Sequence, residues 1–331
     1  YRGGFPERYA SQRTRIGPAY AYHNLSAMQK ILSLLFRLIA AIPLPVLHRI
    51  GNAAGSLAYR TQPKLRARIR DNIQSARIIA DNTEADTLIE AVCRETMKGG
   101  LELAVAWVRP SEEIADLFQT VHGWEYVQTA MAEGKGLLLI TPHLGSYDLA
   151  GRYISQQLPF PLTAMYRPPK IEALGEIMNA GRVRDNGRTA PANMQGVKQV
   201  IKALRSGEAT IVLPDQVPGG GDGIWVQFFD REAYTMTLAA KLANVKNVAT
   251  LFFCGERLPE GKGFALHIEP MQGELSGSTE ADVQLINDNV ERWIRRFPEQ
   301  YLFSYNRYKH PAGAPPRPSE NASAKESDEA V

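Results

Sequence analysis

Five short apolar runs punctuate this chain from residue 136 onward, at residues 136–140, 161–166, 210–213, 248–253 and 264–268. Most are bounded by turn-forming residues, and all are too short for an ordinary helix, so they read as buried strands. Segments with helical patterning separate most of them, at 146–158, 196–205 and 234–242. Strands alternating with helices predict an α/β fold with a central, largely parallel sheet flanked by helices. The last strands have shorter connections, which makes the sheet mixed. Further helices are expected over 63–108, 123–134 and 279–297, the last with Val283, Ile286, Val290, Trp293 and Ile294 on one side.

The chain divides into four stretches. Residues 1–25 are polar and rich in Tyr and Arg, with no apolar signal-peptide core, and are expected to be disordered or an extension outside the fold. Residues 26–62 carry an apolar block from Ile31 to Tyr59, interrupted by Arg37, Pro43, Pro45, His48 and Arg49. Its longest stretch free of charge and histidine, Leu38 to Leu47, is half of the about 20 residues a spanning helix needs. Two arrangements remain open: one marginal transmembrane helix, or helices lying in the membrane interface. Lys64, Arg66, Arg68 and Arg70 follow at once, and such clusters meet anionic headgroups on the cytoplasmic side. Residues 63–311 form the α/β domain. The Pro-, Ser-, Ala- and Glu-rich stretch 312–331 is expected to be a disordered tail.

A net charge of +3 argues against a nucleic-acid binder, and Cys93 and Cys254 stand far apart in apolar surroundings, as buried free thiols. No His/Cys/Glu cluster has metal-ligand spacing, and no cofactor is expected. Chemistry in α/β folds gathers where strands end. After the first strand comes Thr141-Pro142-His143-Leu144-Gly145-Ser146-Tyr147-Asp148. His143 has the character of a general base, with Asp148 as the carboxylate that orients its ring. After the second comes Tyr166-Arg167-Pro168, where Arg167 is a candidate anion clamp. After the third come Pro214-Asp215-Gln216 and a glycine-rich loop, in which Asp215 either positions a hydroxyl or pairs with Arg167. The loop lacks the Lys-Ser/Thr of a phosphate loop. There is no G-x-S-x-G elbow, so Ser146 has no nucleophile's setting. Phe228-Phe229 either lines an apolar channel or packs the core.

Taken in order, His143 to Asp148, Tyr166 to Pro168, Leu213 to Gln216, Phe228-Phe229 and Pro298-Glu299-Gln300-Tyr301 resemble the motifs of the lipid A biosynthesis acyltransferases, over roughly residues 28–310. Many members carry Glu at the position of Asp148. The resemblance implies a membrane-anchored enzyme of the inner membrane, its catalytic domain facing the cytoplasm. It implies an acyl thioester on acyl carrier protein as donor, and a hydroxyl of a Kdo-bearing lipid A precursor as acceptor. His143 and Asp148 would be catalytic, and Arg167, Asp215, Gln216 and Arg307 would contact substrate. Arg167 or backbone N–H groups after the first strand would steady the oxyanion. Two alternatives stay open: another glycolipid or lysophospholipid acceptor, or a membrane lipid-binding protein without turnover.

Overall fold

The computed structural model describes residues 27–79, 82–166, 169, 171–219 and 221–319. The expected extension over 1–25, Arg167 and the tail beyond Ser319 lie outside those residues. At the centre is β2 (Gly136–Ile140), every residue of which is buried. It lies between β8 (Val248–Arg257) and β5 (Ala209–Val212), inside a seven-stranded sheet of order β1-β9-β8-β2-β5-β3-β4. The other strands are β1 (Phe118–His122), β3 (Leu162–Tyr166), β4 (Gly187–Pro191) and β9 (Phe264–Pro270). Only the β8–β9 pair is antiparallel. The expected mixed, largely parallel sheet is therefore present.

Side-chain alternation along β2 explains how both faces are covered. Leu138 and Ile140 join a cluster with Val200 and Leu204 of α9 (Met194–Arg205) and Val290 and Trp293 of α11 (Thr279–Arg296). Leu137 and Leu139 point the other way, against Val127 of α6 (Trp124–Ala132) and Ile154 of α7 (Tyr147–Gln157). A strand buried on both faces has no polar alternation, which is why Gly-Leu-Leu-Leu-Ile is uniformly apolar.

A two-stranded antiparallel ribbon, β6 (Gly223–Phe228) with β7 (Arg231–Met236), sits beside the main sheet. The helical pattern predicted over 234–242 is corrected here: Tyr234 pairs with Trp225 in the ribbon, and only Leu238–Ala243 is helical, as α10. The long-range strand pairing overrides local propensity. Phe228 and Phe229 are buried and pack the core. Residues 312–319 of the expected tail are among the described residues. Through Ser319 the tail lies on the ribbon: Trp225 Nε1 donates to Pro315 O at 2.8 Å, and Ser319 Oγ donates to Glu232 Oε2 at 2.6 Å.

Among the described residues five helices precede the sheet: α1 (Ala27–Ala41), α2 (Leu44–Thr61), α3 (Pro63–Ser75), α4 (Asn82–Val108) and the short α5 (Ser111–Ala115). They form one body with the α/β layer. Gly55 of α2 meets α4 so closely that a Cβ there would lie 2.3 Å from Arg94 Cα. A buried ion cluster ties the same helices to β8. Glu102 accepts from Arg257 Nε at 2.6 Å, from Arg257 Nη2 at 2.7 Å and from His48 Nε2 at 2.7 Å. Arg257 Nη1 also reaches Glu95 at 2.7 Å. Burial pushes the Glu102 carboxyl up, but the Arg257 charge and hydrogen bonds outweigh it and hold it down at about 2. Among the described residues no single helix is long and apolar enough to cross a membrane; α1 and α2 together reach that length, bent by 111°.

Candidate active site

Strand register brings the two central residues together. β2 and β5 run parallel with Ile140 opposite Val212. His143 and Asp215 each lie three residues beyond that pair, so they leave the sheet side by side. His143 N donates to Asp215 Oδ2 at 3.0 Å, and His143 Nδ1 donates to Asp215 Oδ1 at 2.9 Å. A carboxylate accepts only, so the ring proton sits on Nδ1 and Nε2 carries the lone pair. Gln216 Nε2 donates to that lone pair at 3.1 Å. Tyr147 packs edge-on to the imidazole, ring centroids 5.0 Å apart.

The pairing of His143 with Asp148 is thereby corrected. Asp148 lies in the first turn of α7 and takes a forked interaction from Arg182, at the end of α8 (Glu172–Arg182): Nε to Oδ1 at 3.1 Å and Nη2 to Oδ1 at 2.9 Å. Burial opposes the Arg182 charge, but Asp148 outweighs it and raises the guanidinium above its usual value. The helix turn after Gly145 carries the Asp148 carboxylate toward α8, so the ring is oriented by a residue distant in sequence.

Asp215 is 3% exposed. Burial pushes its carboxyl up, yet the His143 charge and hydrogen bonds leave it below the ordinary aspartate value. Behind it lie Tyr301 and Arg307. Burial and the Asp215 charge raise the Tyr301 phenol well above its usual value. Arg307 is 2% exposed. It donates to Tyr234 O at 2.8 Å and to Thr235 Oγ1 at 2.6 Å, with its guanidinium 4.8 Å from the Phe228 ring centre. The substrate contact expected of Arg307 is corrected: a side chain so enclosed steadies β7 and lends positive charge to the back of Asp215. Arg167 lies outside the described residues.

The His143 loop is laced from both sides. Gly145 N donates to Gln300 O at 3.1 Å, Leu302 N to His143 O at 3.1 Å, and Ser146 N to Gly255 O at 2.7 Å. Leu144 bridges Tyr301, and Gly145 bridges Gly255. Gly145 has φ +59, and a Cβ there would sit 2.2 Å from Gly255 O, so only glycine fits. The Gln300 side chain pairs with both backbone groups of Arg257: N to Oε1 at 2.8 Å, and Nε2 to O at 3.1 Å. Sequence reasoning named Pro298 to Tyr301 as a motif without a role; its role here is a clasp on the histidine loop. Arg182 went unnoticed because nothing in its own neighbourhood marks it.

A buried carboxylate, an imidazole whose Nε2 lone pair meets the Gln216 amide, and their place at parallel strand ends make a general-base arrangement. No cluster able to hold a metal occurs among the described residues. The family model for bacterial lipid A biosynthesis acyltransferases matches residues 23–310. The chain belongs to this family. Curated relatives match over most of its length. A lipid A biosynthesis lauroyltransferase of Escherichia coli (strain K12) is 28% identical over 283 residues, 85% of this chain and 91% of the relative. The lipid A biosynthesis palmitoleoyltransferase of the same strain is 27% identical, over 81% of this chain and 86% of the relative. Its lipid A biosynthesis myristoyltransferase is 24% identical, over 78% of each. These three acyltransferases are named for different acyl chains, so the match alone assigns no chain length to this family member.

Proposed function

We propose that this acyltransferase moves a fatty acyl chain from an acyl-carrier-protein thioester to a hydroxyl of a Kdo-bearing lipid A precursor. The observation that carries the reading is the contact of His143 Nδ1 with the buried Asp215 carboxylate, which sets the ring tautomer. With the proton held on Nδ1 by Asp215, Nε2 accepts the proton of the attacking hydroxyl. The hydroxyl oxygen then bonds to the thioester carbonyl carbon, and the imidazolium is stabilised by the buried Asp215 charge. On collapse the C–S bond breaks, and the departing sulfur takes the proton from Nε2. The thioester is already activated, so no acyl-enzyme is needed.

The same reading places the protein on the cytoplasmic side of the inner membrane. Met28, Ile31, Leu34, Leu35 and Leu38 of α1 and Val46, Ile50 and Leu57 of α2 are exposed large apolar side chains. Such a face suits the headgroup–acyl boundary, where a helix lies along the surface with basic side chains at the phosphates. Lys30, Arg37, Arg49, Lys64 and Arg68 are exposed on or just after these helices.

One experiment tests both parts. The purified protein is mixed with vesicles carrying the precursor and with a series of acyl-carrier-protein thioesters, and products are weighed. The expected product is the precursor plus one ester-linked acyl group, formed fastest with one chain length. Ile31→Glu/Leu38→Glu is expected to lower vesicle co-flotation at least tenfold and to reduce turnover on vesicles. Stoichiometric precursor binding without any product from any thioester would overturn the reading in favour of a lipid-binding protein. Unchanged flotation of the double variant would remove the membrane face.

A further inference from the structure

Gln216 stands where an acceptor hydroxyl has to arrive. Its Nε2 donates to His143 Nε2 at 3.1 Å, and the tautomer fixed by Asp215 leaves that nitrogen a single in-plane lone pair. A hydroxyl handing its proton to Nε2 needs the same lone pair and displaces the amide. The displaced amide stays close. Asp215 before it is held by two bonds from His143. Val217 after it donates its N–H to the Tyr305 hydroxyl at 3.0 Å. With the Asp215 carboxylate and the Val217 N–H anchored on either side, the Gln216 amide moves chiefly through its own side-chain torsions and stays in reach of the atoms at Nε2.

That is also where negative charge develops. The attacking oxygen lies one hydrogen bond from Nε2, and the carbonyl oxygen of the carbon under attack lies one bond beyond the forming C–O bond. We propose that Gln216 is a catalytic residue whose side-chain amide passes from the base to the carbonyl oxygen of the acyl donor and serves as an oxyanion donor. The inference rests on the acyl-transfer reading above and assigns a role beyond the substrate contact expected from sequence. Electrons and protons balance without a further reactant. As the C–O bond forms, the carbonyl π pair moves onto oxygen, which accepts the Gln216 N–H. On collapse that pair re-forms the double bond, the C–S pair leaves with sulfur, and sulfur takes the proton from the imidazolium. Gln216 neither gains nor loses a proton. While His143 is protonated, an amide N–H and the Nε2–H are two donors that repel, which keeps the amide on the oxyanion until the proton has left.

The test compares Gln216→Ala, Gln216→Met, Gln216→Asn and His143→Ala, using the acyl-carrier-protein thioester that wild type turns over fastest and the lipid A precursor. Gln216→Met keeps most of the volume and removes the donors, so it serves if the alanine variant folds poorly. Both are expected to lose about 10²–10³-fold in kcat, the usual effect of removing one oxyanion donor. KM for either substrate should stay within about threefold, and the acid limb of the pH–kcat profile should stay in place. Gln216→Asn, one methylene shorter but still a donor, should recover at least tenfold of the loss. A kcat for Gln216→Ala or Gln216→Met equal to or above wild type would show that the amide merely caps the base. A loss lying wholly in KM would make it a binding contact. Either result overturns the inference while His143→Ala remains inactive. A fully active His143→Ala would instead overturn the acyl-transfer reading beneath it.

Discussion

Asp215→Asn is expected to silence turnover about as completely as His143→Ala, with kcat falling about 10⁴-fold, the loss typical when the carboxylate behind a catalytic histidine becomes an amide. The reason is tautomeric. Asp215 Oδ1 accepts from Nδ1 at 2.9 Å. An amide in its place can present its NH₂ to Nδ1, which moves the ring proton to Nε2, where it faces the incoming hydroxyl. The imidazolium formed during attack also loses its counter-charge. The fold should survive, because Asn is isosteric and its oxygen can still accept from His143 N, a bond now 3.0 Å long. Asp148→Asn should behave differently. Its carboxylate is held by Arg182, so its effect should couple to that residue. The Asp148→Asn/Arg182→Ala double variant should be no worse than the weaker single variant, within about 0.5 kcal/mol on stability. Steady-state kinetics and denaturation of the five variants decide the assignment. If Asp148→Asn lost turnover as fully as Asp215→Asn and the Arg182 cycle were additive, Asp148 would regain the place of orienter.

The largest effect on stability is expected at Glu102. Its side chain is 2% exposed and meets Arg257 and His48, each almost as deeply enclosed. Glu102→Ala leaves the Arg257 charge facing Glu95 alone, and truncating one member of a buried ion pair costs about 3–5 kcal/mol. The cost should depend on pH in a set direction. The folded-state carboxyl sits near 2, below its ordinary 4.5. A depressed acid contributes fully above its unfolded value and loses that contribution as pH falls through the folded one. The difference between wild type and Glu102→Gln should thus be greatest above pH 4.5 and shrink toward pH 2. Asp215 adds a slope of the same sign at the acid end, since its carboxyl also lies below the ordinary value. Denaturant midpoints across that range measure it. A difference independent of pH would mean that Glu102 contributes by packing and not by charge.

What was legible in the sequence follows the strength of local pattern. β2, β3 and β5 were readable almost to the residue, because buried parallel strands are short apolar runs with sharp ends. β1 and β4 were not, because both are sheet edges with exposed polar residues: Phe118-Gln119-Thr120-Val121-His122 and Gly187-Arg188-Thr189-Ala190-Pro191. The β6–β7 ribbon was missed for the opposite reason: its pairing is set across the chain, and Tyr234–Met236 alone also fits a helix. At the site, His143 was plain from its place after β2. Its partner was not, since five residues of separation favour Asp148 while 72 separate His143 from Asp215. The equal three-residue offset beyond Ile140 and Val212 was the available signal, and it becomes usable only when β2 and β5 are known to be neighbours in register. Arg307 misled because a basic residue after a motif resembles a substrate clamp, whereas the Phe228 face and the Tyr234 carbonyl enclose it.

The clasp of Gln300, Tyr301 and Leu302 on the histidine loop has a consequence for biogenesis. His143 is synthesised long before the residues that lace its loop, and at about 5–20 residues per second the interval is on the order of ten seconds. During it, α1 and α2 have already left the ribosome with their apolar faces, while the histidine loop still lacks the Leu144 bridge to Tyr301 and the Gly145 bond to Gln300. On the membrane reading proposed above, the nascent chain would present its lipid-facing helices before its histidine loop is finished, so that targeting would precede chemistry in the order of synthesis.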